Sequence, residues 1–458
     1  MNRKSRSRGP VRYRDPVRLF PLMVLLVFVT CAFSLTSAQQ TDMLSGEDQE
    51  ELIKEIVAQI EKIYPFPEIA QRMVVGVTGH LRDGKYAKYT NPAEFAQRVS
   101  ADLGELSSDS HMGLTYNPAR AAEMKASEEE GLENPYAAST METERWKNFG
   151  FKELRILEGN VGYLDLRTFF ALKYAGETAV AAMGYFANCN ALIIDLRRNG
   201  GGWDDMVTFL ASYFFDTDAG IVFGVGMSTK DSSFYPSVTS AYVPGKLLAD
   251  IPLYILVSGG TASAAEAFAS IMKNMRKDAT LVGETTAGAE NPLETVIIQD
   301  EYILWVPGWT KIFSSAKSGW EGVGVEPDVK VAADSALTVA HWKALNLLKE
   351  RAADDAERGK YRWAMDGVKA SDTPMIIEEE LRQGYAGQYG NRTVYLVGDE
   401  LYYQYKDRPK RRMLAVSKEY FVVEGYDWFR VKFFRENGEL AGFEEVRTDG
   451  SVVRCRRE

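Results

Sequence analysis

The chain has 458 residues, which is enough for about three folding units and a sizeable core. With 45% hydrophobic and 26% charged residues, its composition is ordinary for a globular protein and excludes collagen-like, coiled-coil and wholly disordered chains. Residues 39–458 hold 47 basic and 63 acidic side chains, a net charge of −16, and no nucleic-acid partner is expected because phosphate neutralisation needs clustered cations.

Residues 1–38 have the pattern of a secretory signal peptide. A basic stretch precedes the apolar run 22–29, and the small residues Thr36 and Ala38 precede Gln39 at the positions that cleavage requires. We therefore expect export to the periplasm or the extracellular space, with no stable membrane span after cleavage. The alternative is an uncleaved membrane anchor, although the apolar run is shorter than the ~20 residues that cross a bilayer.

Residues 45–117 carry apolar side chains at three- and four-residue spacing, which predicts a helical N-terminal domain. Asn91 followed by Pro92 is typical of a helix start, and this helix should end near Ser107. Residues 118–150 are rich in Glu, Lys and Ala with little apolar periodicity, and we interpret them as an acidic insertion that is too short for a separate domain.

The next region, residues 151–335, is predicted to be an α/β core. The apolar runs 161–166, 191–196 and 253–257 are each followed by Gly, Asn or Ser and then by a helical stretch, as buried parallel strands with crossover helices require. In such sheets ligands bind at the carboxyl ends of the strands. Functional side chains are therefore expected just after these runs.

Residues 336–375 are predicted to contain an amphipathic helix near 336–351 and a polar linker near 354–374. In the tail, 376–458, apolar runs alternate with turn dipeptides, of which Asn-Gly and Asp-Gly are typical of type I′ hairpins. These dipeptides are Gly398-Asp399, Asn437-Gly438 and Asp449-Gly450. We expect a small all-β domain, either an antiparallel barrel or a sheet.

The chain has three histidines, so a histidine general base can be sought exhaustively. His80 lies near a predicted helix end and suits a capping role, and His341 lies on the amphipathic helix as a packing or surface residue. His111 lies instead between a polar loop and the strand-like segment 112–116, where a rigid scaffold positions side chains. His111 is therefore the candidate base.

Ser263 lies between the predicted strand 253–257 and a predicted helix at 264–275. The positive end of the helix dipole and free N–H groups would stabilise charge at its hydroxyl, which suits a nucleophile. The alternative is that Ser263 or Thr261 only caps the helix. The segment is not Gly-x-Ser-x-Gly, which argues against an ordinary α/β-hydrolase elbow.

Three glycines, Gly200, Gly201 and Gly202, follow the predicted strand 191–196. They would let backbone N–H groups approach a substrate as an oxyanion hole requires, and one such donor is worth ~3 kcal/mol. A phosphate-binding loop is the rival, but the segment lacks the Gly-Lys-Ser/Thr ending. No cluster with metal-ligand spacing supports a metallohydrolase, so neither a metal nor another cofactor is expected.

Five ordered blocks resemble the tricorn and C-terminal-processing family of serine peptidases, in the PDZ-less branch related to interphotoreceptor retinoid-binding protein. The blocks are 159–167, 195–202, 261–266, 283–288 and 322–328. The resemblance covers about residues 47–335 and implies a crotonase-like or ClpP-like core with a mixed sheet. The tail is similar to the small β-domain often appended to bacterial hydrolases of this kind.

The resemblance implies a catalytic tetrad and an oxyanion hole at matching positions. The tetrad would consist of Ser263 as nucleophile, His111 as its general base, Ser110 and Glu321. The glutamate would orient and polarise the serine and histidine pair. Backbone N–H groups of Gly201 or Gly202 and of Ala264 would form the oxyanion hole.

Three departures from the family limit what can be carried over. Ala289 stands where the Ser–Lys branch has its lysine, so a lysine base is not expected. The spacer 116–159 is too short for a PDZ domain, so substrate selection must come from other parts of the chain. The segment 289–291 also differs from the Gly-Gly-Ala-His that relatives in the retinoid-binding branch carry.

The sequence thus predicts an exported serine peptidase that hydrolyses peptide bonds of a peptide or protein substrate through an acyl-enzyme. One alternative is a non-catalytic protein of the same fold that binds a hydrophobic ligand or a polypeptide. Another is an esterase that uses the same residues on small substrates. Homo-oligomerisation is left open by the sequence.

Overall fold

The computed structural model describes residues 43–109, 111–130, 135–216, 220–229, 232–313 and 319–458. The predicted signal peptide and Ser110 lie outside the described residues. The part from Met43 to Glu458 folds as one unit. No helix in the described ranges has both the length and the apolar character needed to cross a membrane.

Three helices form the N-terminal region, as the apolar spacing predicts. They are α1 (Gly46–Ile63), α2 (Pro67–Arg82) and α3 (Pro92–Ser107). The side-chain oxygen of Asn91 caps α3 by accepting hydrogen bonds from the N–H groups of Ala93 and Glu94 at 3.0 and 3.2 Å. The buried stripe of α1, which includes Leu52 and Ile56, packs into a core shared by the three helices.

The acidic segment after β1 (Gly113–Tyr116) contains two helices, α4 (Pro118–Glu129) and α5 (Pro135–Arg145). In α4 the buried side chains are Ala121 and Met124, which pack against Ile303. Helices form here without an apolar stripe because Ala, Glu and Lys are themselves good helix formers.

The core alternates strands and helices. In chain order its elements are β2 (Phe151–Leu157), β3 (Val161–Leu166), α6 (Leu172–Tyr185), β4 (Ala191–Asp195), α7 (Asp204–Ser212), β5 (Val222–Ser228), β6 (Phe234–Val238), β7 (Leu253–Val257), α8 (Ala264–Met275), β8 (Ala279–Gly283), β9 (Leu293–Ile298), β10 (Tyr302–Pro307), β11 (Trp309–Phe313) and β12 (Val329–Lys330). Within the described residues, six strands form the central sheet in the order β12-β8-β7-β4-β3-β2. All neighbours pair in parallel except β2, which pairs antiparallel with β3, so the sheet is mixed as predicted.

Helices cover both faces of the central sheet. Leu253 and Ile255 of β7 join the core under α6, α7 and α8. Tyr254 and Leu256 point to the opposite face, where they pack with α9 (Ala336–Arg351) and α10 (Asp355–Asp372). This alternation is expected for a strand that is buried on both sides.

The predicted polar linker near 354–374 is wrong, because these residues form α10. The Asp354 side chain caps this helix by accepting a hydrogen bond from the N–H of Glu357 at 2.7 Å. Its buried residues Tyr361, Ala364 and Met365 recur at three- and four-residue spacing and face α9. The apolar stripe is narrow and the rest of the helix is charged, which hides the periodicity in the sequence.

Two small antiparallel sheets flank the core. One has the order β1-β10-β9 and packs against the N-terminal helices, and the other has the order β11-β5-β6. Because β1 begins two residues after His111, the first sheet fixes the position of the histidine backbone.

The C-terminal region begins with α11 (Glu379–Tyr385) and continues as an antiparallel sheet of eight strands. The strands are β13 (Gly387–Tyr389), β14 (Arg392–Val397), β15 (Glu400–Tyr405), β16 (Arg411–Ala415), β17 (Tyr420–Val423), β18 (Tyr426–Glu436), β19 (Glu439–Arg447) and β20 (Val452–Arg456). A hydrogen bond from the N–H of Glu458 to the carbonyl oxygen of Gln388, at 3.0 Å, links the two ends of the sheet into a nearly closed barrel. The predicted turns at 398–399, 437–438 and 449–450 connect adjacent strands, and the predicted fold class is confirmed.

Candidate active site

Ser263 lies at the turn between β7 and α8, with φ 54° and ψ −123°. A non-glycine residue rarely adopts positive φ, and such strain clusters at functional sites. Gly201 approaches this turn so closely that a Cβ atom there would lie 2.7 Å from the Cβ of Ser263. The glycine is therefore needed for the contact between the two loops.

The carboxylate of Glu266 holds this turn in place from the first turn of α8. It accepts hydrogen bonds from the N–H of Ser263 at 2.9 Å, from the N–H groups of Gly288 and Ala289 at 2.8 Å each, and from the hydroxyl of Thr286. The residue is fully buried. One carboxylate thus joins the candidate nucleophile to the loop that follows β8.

The glycine loop offers fewer oxyanion donors than the sequence suggests. The N–H of Gly201 already donates to the side-chain oxygen of Asn199 at 2.9 Å. Among the described residues, the N–H groups of Gly202 and Ala264 have no hydrogen-bond partner. Gly202 has φ 140°, and a Cβ atom there would lie 2.2 Å from the carbonyl oxygen of Phe169, so this position also requires glycine.

His111 and Ser263 line the same cavity, which has a volume of about 1130 Å³. Gly201, Gly202 and Ala264 line it as well. No hydrogen bond joins the serine and the histidine among the residues that the structure describes. In unliganded enzymes such catalytic hydrogen bonds are often long and tighten only when substrate binds.

A buried carboxylate that the sequence analysis missed lies beside the histidine. Asp109 accepts a hydrogen bond from the N–H of His111 at 3.0 Å through Oδ1, which also lies 3.9 Å from the Nδ1 atom of the ring. Its other oxygen, Oδ2, accepts hydrogen bonds from the hydroxyl of Tyr64 at 3.2 Å and from the side-chain amide of Asn291 at 3.0 Å. An acidic residue two positions before the candidate histidine was the available sequence signal.

Glu321 and Glu290 join two loops through reciprocal hydrogen bonds. Glu321 Oε2 accepts hydrogen bonds from the N–H groups of Glu290 at 2.6 Å and Asn291 at 3.2 Å. Glu290 Oε2 accepts in return from the N–H groups of Trp320 at 2.7 Å and Glu321 at 3.1 Å. The segment 289–291, which departs from the family pattern, therefore supplies the contacts that hold both Asp109 and Glu321.

Burial is the main cause of the pKa shifts of His111 and Glu321. It lowers the pKa of His111, although the Asp109 carboxylate opposes the shift. Burial also raises the pKa of Glu321 to about 7, assisted by the Asp109 charge and opposed by the hydrogen bond from Glu290. A histidine with a lowered pKa is neutral near pH 7 and is able to accept a proton.

The other two histidines lie outside the cavity lining. The Nδ1 atom of His80 lies 3.2 Å from a carboxylate oxygen of Asp102, so His80 binds a side chain of α3 rather than the carbonyl groups at its own helix end. The Nε2 atom of His341 lies 2.8 Å from the carbonyl oxygen of Glu158, and the side chain is buried, in agreement with a packing role.

Residues 160–331 match the model of peptidase family S41. The chain is 26% identical over 180 residues to a carboxy-terminal-processing protease of Bartonella bacilliformis, and the match covers 38% of this chain and 39% of that protein. It is 32% identical over 129 residues to a carboxyl-terminal-processing protease of Synechocystis, with 28% of each chain covered. The matches thus span well under half the length of these curated relatives, and the family match at residues 160–331 agrees with the predicted resemblance.

The fold is also similar to that of solved structures. The alignment with the photosystem II D1 C-terminal processing protease has 15% sequence identity and a TM-score of 0.41. It covers 62% of this chain and 94% of that chain. The alignment with the tricorn protease has 13% sequence identity and a TM-score of 0.42. It covers 67% of this chain and 37% of that chain.

Proposed function

We propose that this chain, whose residues 160–331 match peptidase family S41, is a serine peptidase that hydrolyses peptide bonds through an acyl-enzyme. The observation that carries the proposal is the convergence of Ser263, His111 and the glycine loop on one cavity. A nucleophile, a base and backbone N–H donors around one concave site are the parts that acyl transfer needs.

In the proposed reaction the hydroxyl oxygen of Ser263 attacks the scissile carbonyl carbon, and His111 accepts the hydroxyl proton as the new C–O bond forms. His111 then gives this proton to the leaving amine nitrogen as the C–N bond breaks. A water molecule, whose proton His111 accepts, attacks the acyl-enzyme, and the ester bond to the serine breaks. The serine recovers its proton and the peptide acid leaves.

The oxyanion formed in each step needs donors that are free before the substrate arrives. The N–H groups of Gly202 and Ala264 meet this requirement better than that of Gly201, which donates to Asn199. Each preorganised donor of this kind is worth ~3 kcal/mol of transition-state stabilisation. The proposed oxyanion hole therefore consists of Gly202 and Ala264.

Two carboxylates are available to position the histidine ring. The Nδ1 atom of His111 lies near Asp109, and one donor atom each of Asp109, His111 and Glu321 fall within 4.8 Å of one another. With Nδ1 turned toward the carboxylates, Nε2 is the nitrogen left for Ser263. We assign Asp109 and Glu321 as positioning residues, and the part predicted for Ser110 stays a prediction.

The lining of the cavity, which measures about 1130 Å³, favours a polypeptide substrate. Its wall combines large apolar side chains with charged ones, which suits a peptide whose own side chains are of both kinds. The apolar group includes Phe170, Trp203, Leu293 and Trp305, and the charged group includes Lys152, Arg167 and Glu290.

Labelling by a fluorophosphonate probe tests the assignment of the nucleophile. The wild-type protein should be labelled at Ser263, because a serine activated by a base reacts with this phosphorus electrophile and ordinary serines do not. Ser263→Ala should lose the label completely. Mass spectrometry of proteolytic fragments identifies the labelled residue.

Ser270→Ala is the matched control for this experiment, because Ser270 is a buried serine of the same helix that does not line the cavity. It should retain full labelling. Labelling that persists in Ser263→Ala would refute the proposal. A protein that binds a hydrophobic ligand tightly but is never labelled would support the binding-protein alternative, and hydrolysis of small esters without hydrolysis of denatured casein would support the esterase.

Export is the second part of the proposal. We expect cleavage between Ala38 and Gln39 when the full chain is produced in a secreting cell, because Thr36 and Ala38 are the small residues at the required positions. The intact mass of the exported protein, or its N-terminal sequence, checks this. Ala38→Arg should block cleavage, and a protein that keeps its first 38 residues would contradict the expectation.

A further inference from the structure

Three potential metal ligands, one of which is the candidate base, lie close together. Asp109, His111 and Glu321 each offer one donor atom, and these atoms lie within 4.8 Å of one another. The sequence predicts no metal site, because positions 109, 111 and 321 have no metal-ligand spacing. The fold brings the loop that precedes β1 and the loop that precedes β12 together at this point.

Two atoms of this group lack partners. Among the described residues, His111 Nδ1 and Glu321 Oε1 are buried with no hydrogen-bond partner. A buried polar atom without a hydrogen-bond partner is unfavourable, so a ligand that satisfies both atoms is favoured. A metal cation would satisfy both atoms at once, because the carboxylate oxygen and the ring nitrogen can each give it a lone pair.

The remaining carboxylate oxygens are already held by outer partners. Asp109 Oδ2 accepts hydrogen bonds from Tyr64 and Asn291, and Glu321 Oε2 accepts hydrogen bonds from two backbone N–H groups. Such outer hydrogen bonds orient metal ligands and limit their motion. One oxygen of each carboxylate lies within 4.8 Å of a ring nitrogen of His111, and for Asp109 this includes Oδ1, which also accepts a hydrogen bond from the N–H of His111.

One imidazole nitrogen with two carboxylate oxygens is a ligand set for Zn²⁺ and similar transition-metal ions. Calcium and magnesium instead need six or more oxygen ligands. Ligand atoms around tetrahedral zinc lie roughly 3.3 Å apart. Side-chain rotations that move the ligand atoms by on the order of 1 Å would therefore bring them to this spacing. We propose that Asp109, His111 and Glu321 bind a divalent transition-metal ion, with Zn²⁺ as the preferred ion.

The functional consequence rests on the proposed peptidase activity, whereas the binding itself does not. A neutral imidazole has one nitrogen lone pair that can bind a metal or a proton. If Nδ1 of His111 uses that pair to bind zinc, Nε2 carries the hydrogen and cannot accept the proton of Ser263. Zinc would therefore inhibit the enzyme reversibly without touching the nucleophile.

Binding is tested by titrating Zn²⁺ into the Ser263→Ala protein in a calorimeter, and by the visible absorption of Co²⁺ as a zinc substitute. Ser263→Ala keeps all three ligands and removes the nucleophile. We expect one ion per chain and a Co²⁺ spectrum typical of low coordination number. Adding Glu321→Gln or Asp109→Asn should each weaken binding at least about tenfold, because each replaces a carboxylate ligand with a neutral amide.

His80→Ala, also in the Ser263→Ala background, is the matched control. His80 and Asp102 form another histidine and carboxylate pair, 3.2 Å apart, but the guanidinium of Arg98 already binds that carboxylate. Zinc affinity should be unchanged in this variant. Binding that is lost in His80→Ala, or that is unaffected by both Glu321→Gln and Asp109→Asn, would overturn the proposal.

Inhibition is measured separately on the wild-type protein, as the rate of fluorophosphonate labelling with and without saturating Zn²⁺. We expect labelling to slow at least about tenfold and to recover when EDTA removes the metal. Normal labelling without zinc binding to the Ser263→Ala protein would refute the metal site alone. Zinc binding to a wild-type protein that is never labelled would refute the peptidase and support the site.

Discussion

Replacing His111 with alanine should slow fluorophosphonate labelling of Ser263 by about 10³-fold or more, because general base catalysis typically contributes 10²–10⁴ and triad members act as a unit. The backbone donors of the oxyanion hole remain, so a small residual rate is expected. The rate is measured under excess probe, and the melting temperature is recorded to show that the variant is folded.

His80→Ala is a suitable comparison, because His80 is a partly exposed histidine that contacts Asp102 and does not line the cavity. Its labelling rate should equal that of the wild type. If His111→Ala were labelled within tenfold of the wild-type rate, another group would have to be the base. The histidine would then have only a packing role at the start of β1.

Glu266→Ala should lower the free energy of unfolding by about 3 kcal/mol or more. The fully buried carboxylate accepts hydrogen bonds from Ser263, Thr286, Gly288 and Ala289, and each buried donor left without a partner costs about 1–3 kcal/mol. Water that enters the space would recover part of this cost. Urea unfolding followed by tryptophan fluorescence measures the difference.

The same substitution should slow labelling of Ser263, because the strained turn loses the hydrogen bond that holds its N–H. Glu68→Ala is the control, since Glu68 also lies in the first turn of a helix but is exposed. It should change stability by less than about 0.5 kcal/mol. An equally small change in Glu266→Ala would show that the buried carboxylate does not hold the site together.

Much of the fold was predictable because it depends on local patterns. Buried strands such as 161–166 and 253–257 are mostly apolar, and Asn-Gly or Asp-Gly is typical of tight hairpin turns. The sequence predicts a linker at 354–374 and not the helix that forms there, because the apolar stripe of Tyr361, Ala364 and Met365 is narrow. Its stability depends on packing against α9, which local propensity does not report.

The candidate site also has some features that local sequence predicts and others that it does not. Ser263 follows a strand and begins a helix, and the glycines after β4 are consecutive, so both could be identified from residues close together in the chain. The hydrogen bonds that hold the site together could not be identified in this way. Asn291 reaches Asp109 across 182 positions, and Glu290 and Glu321 exchange hydrogen bonds with each other's loops across about 30 positions.

The sequence by itself therefore determined the strand and helix pattern, the candidate nucleophile and the candidate base, since each rests on local geometry and residue type. Only the tertiary structure decided which backbone N–H groups remain available for an oxyanion and which carboxylates lie beside His111. These contacts join residues that are far apart in the chain, and burial controls both their hydrogen-bond partners and their protonation.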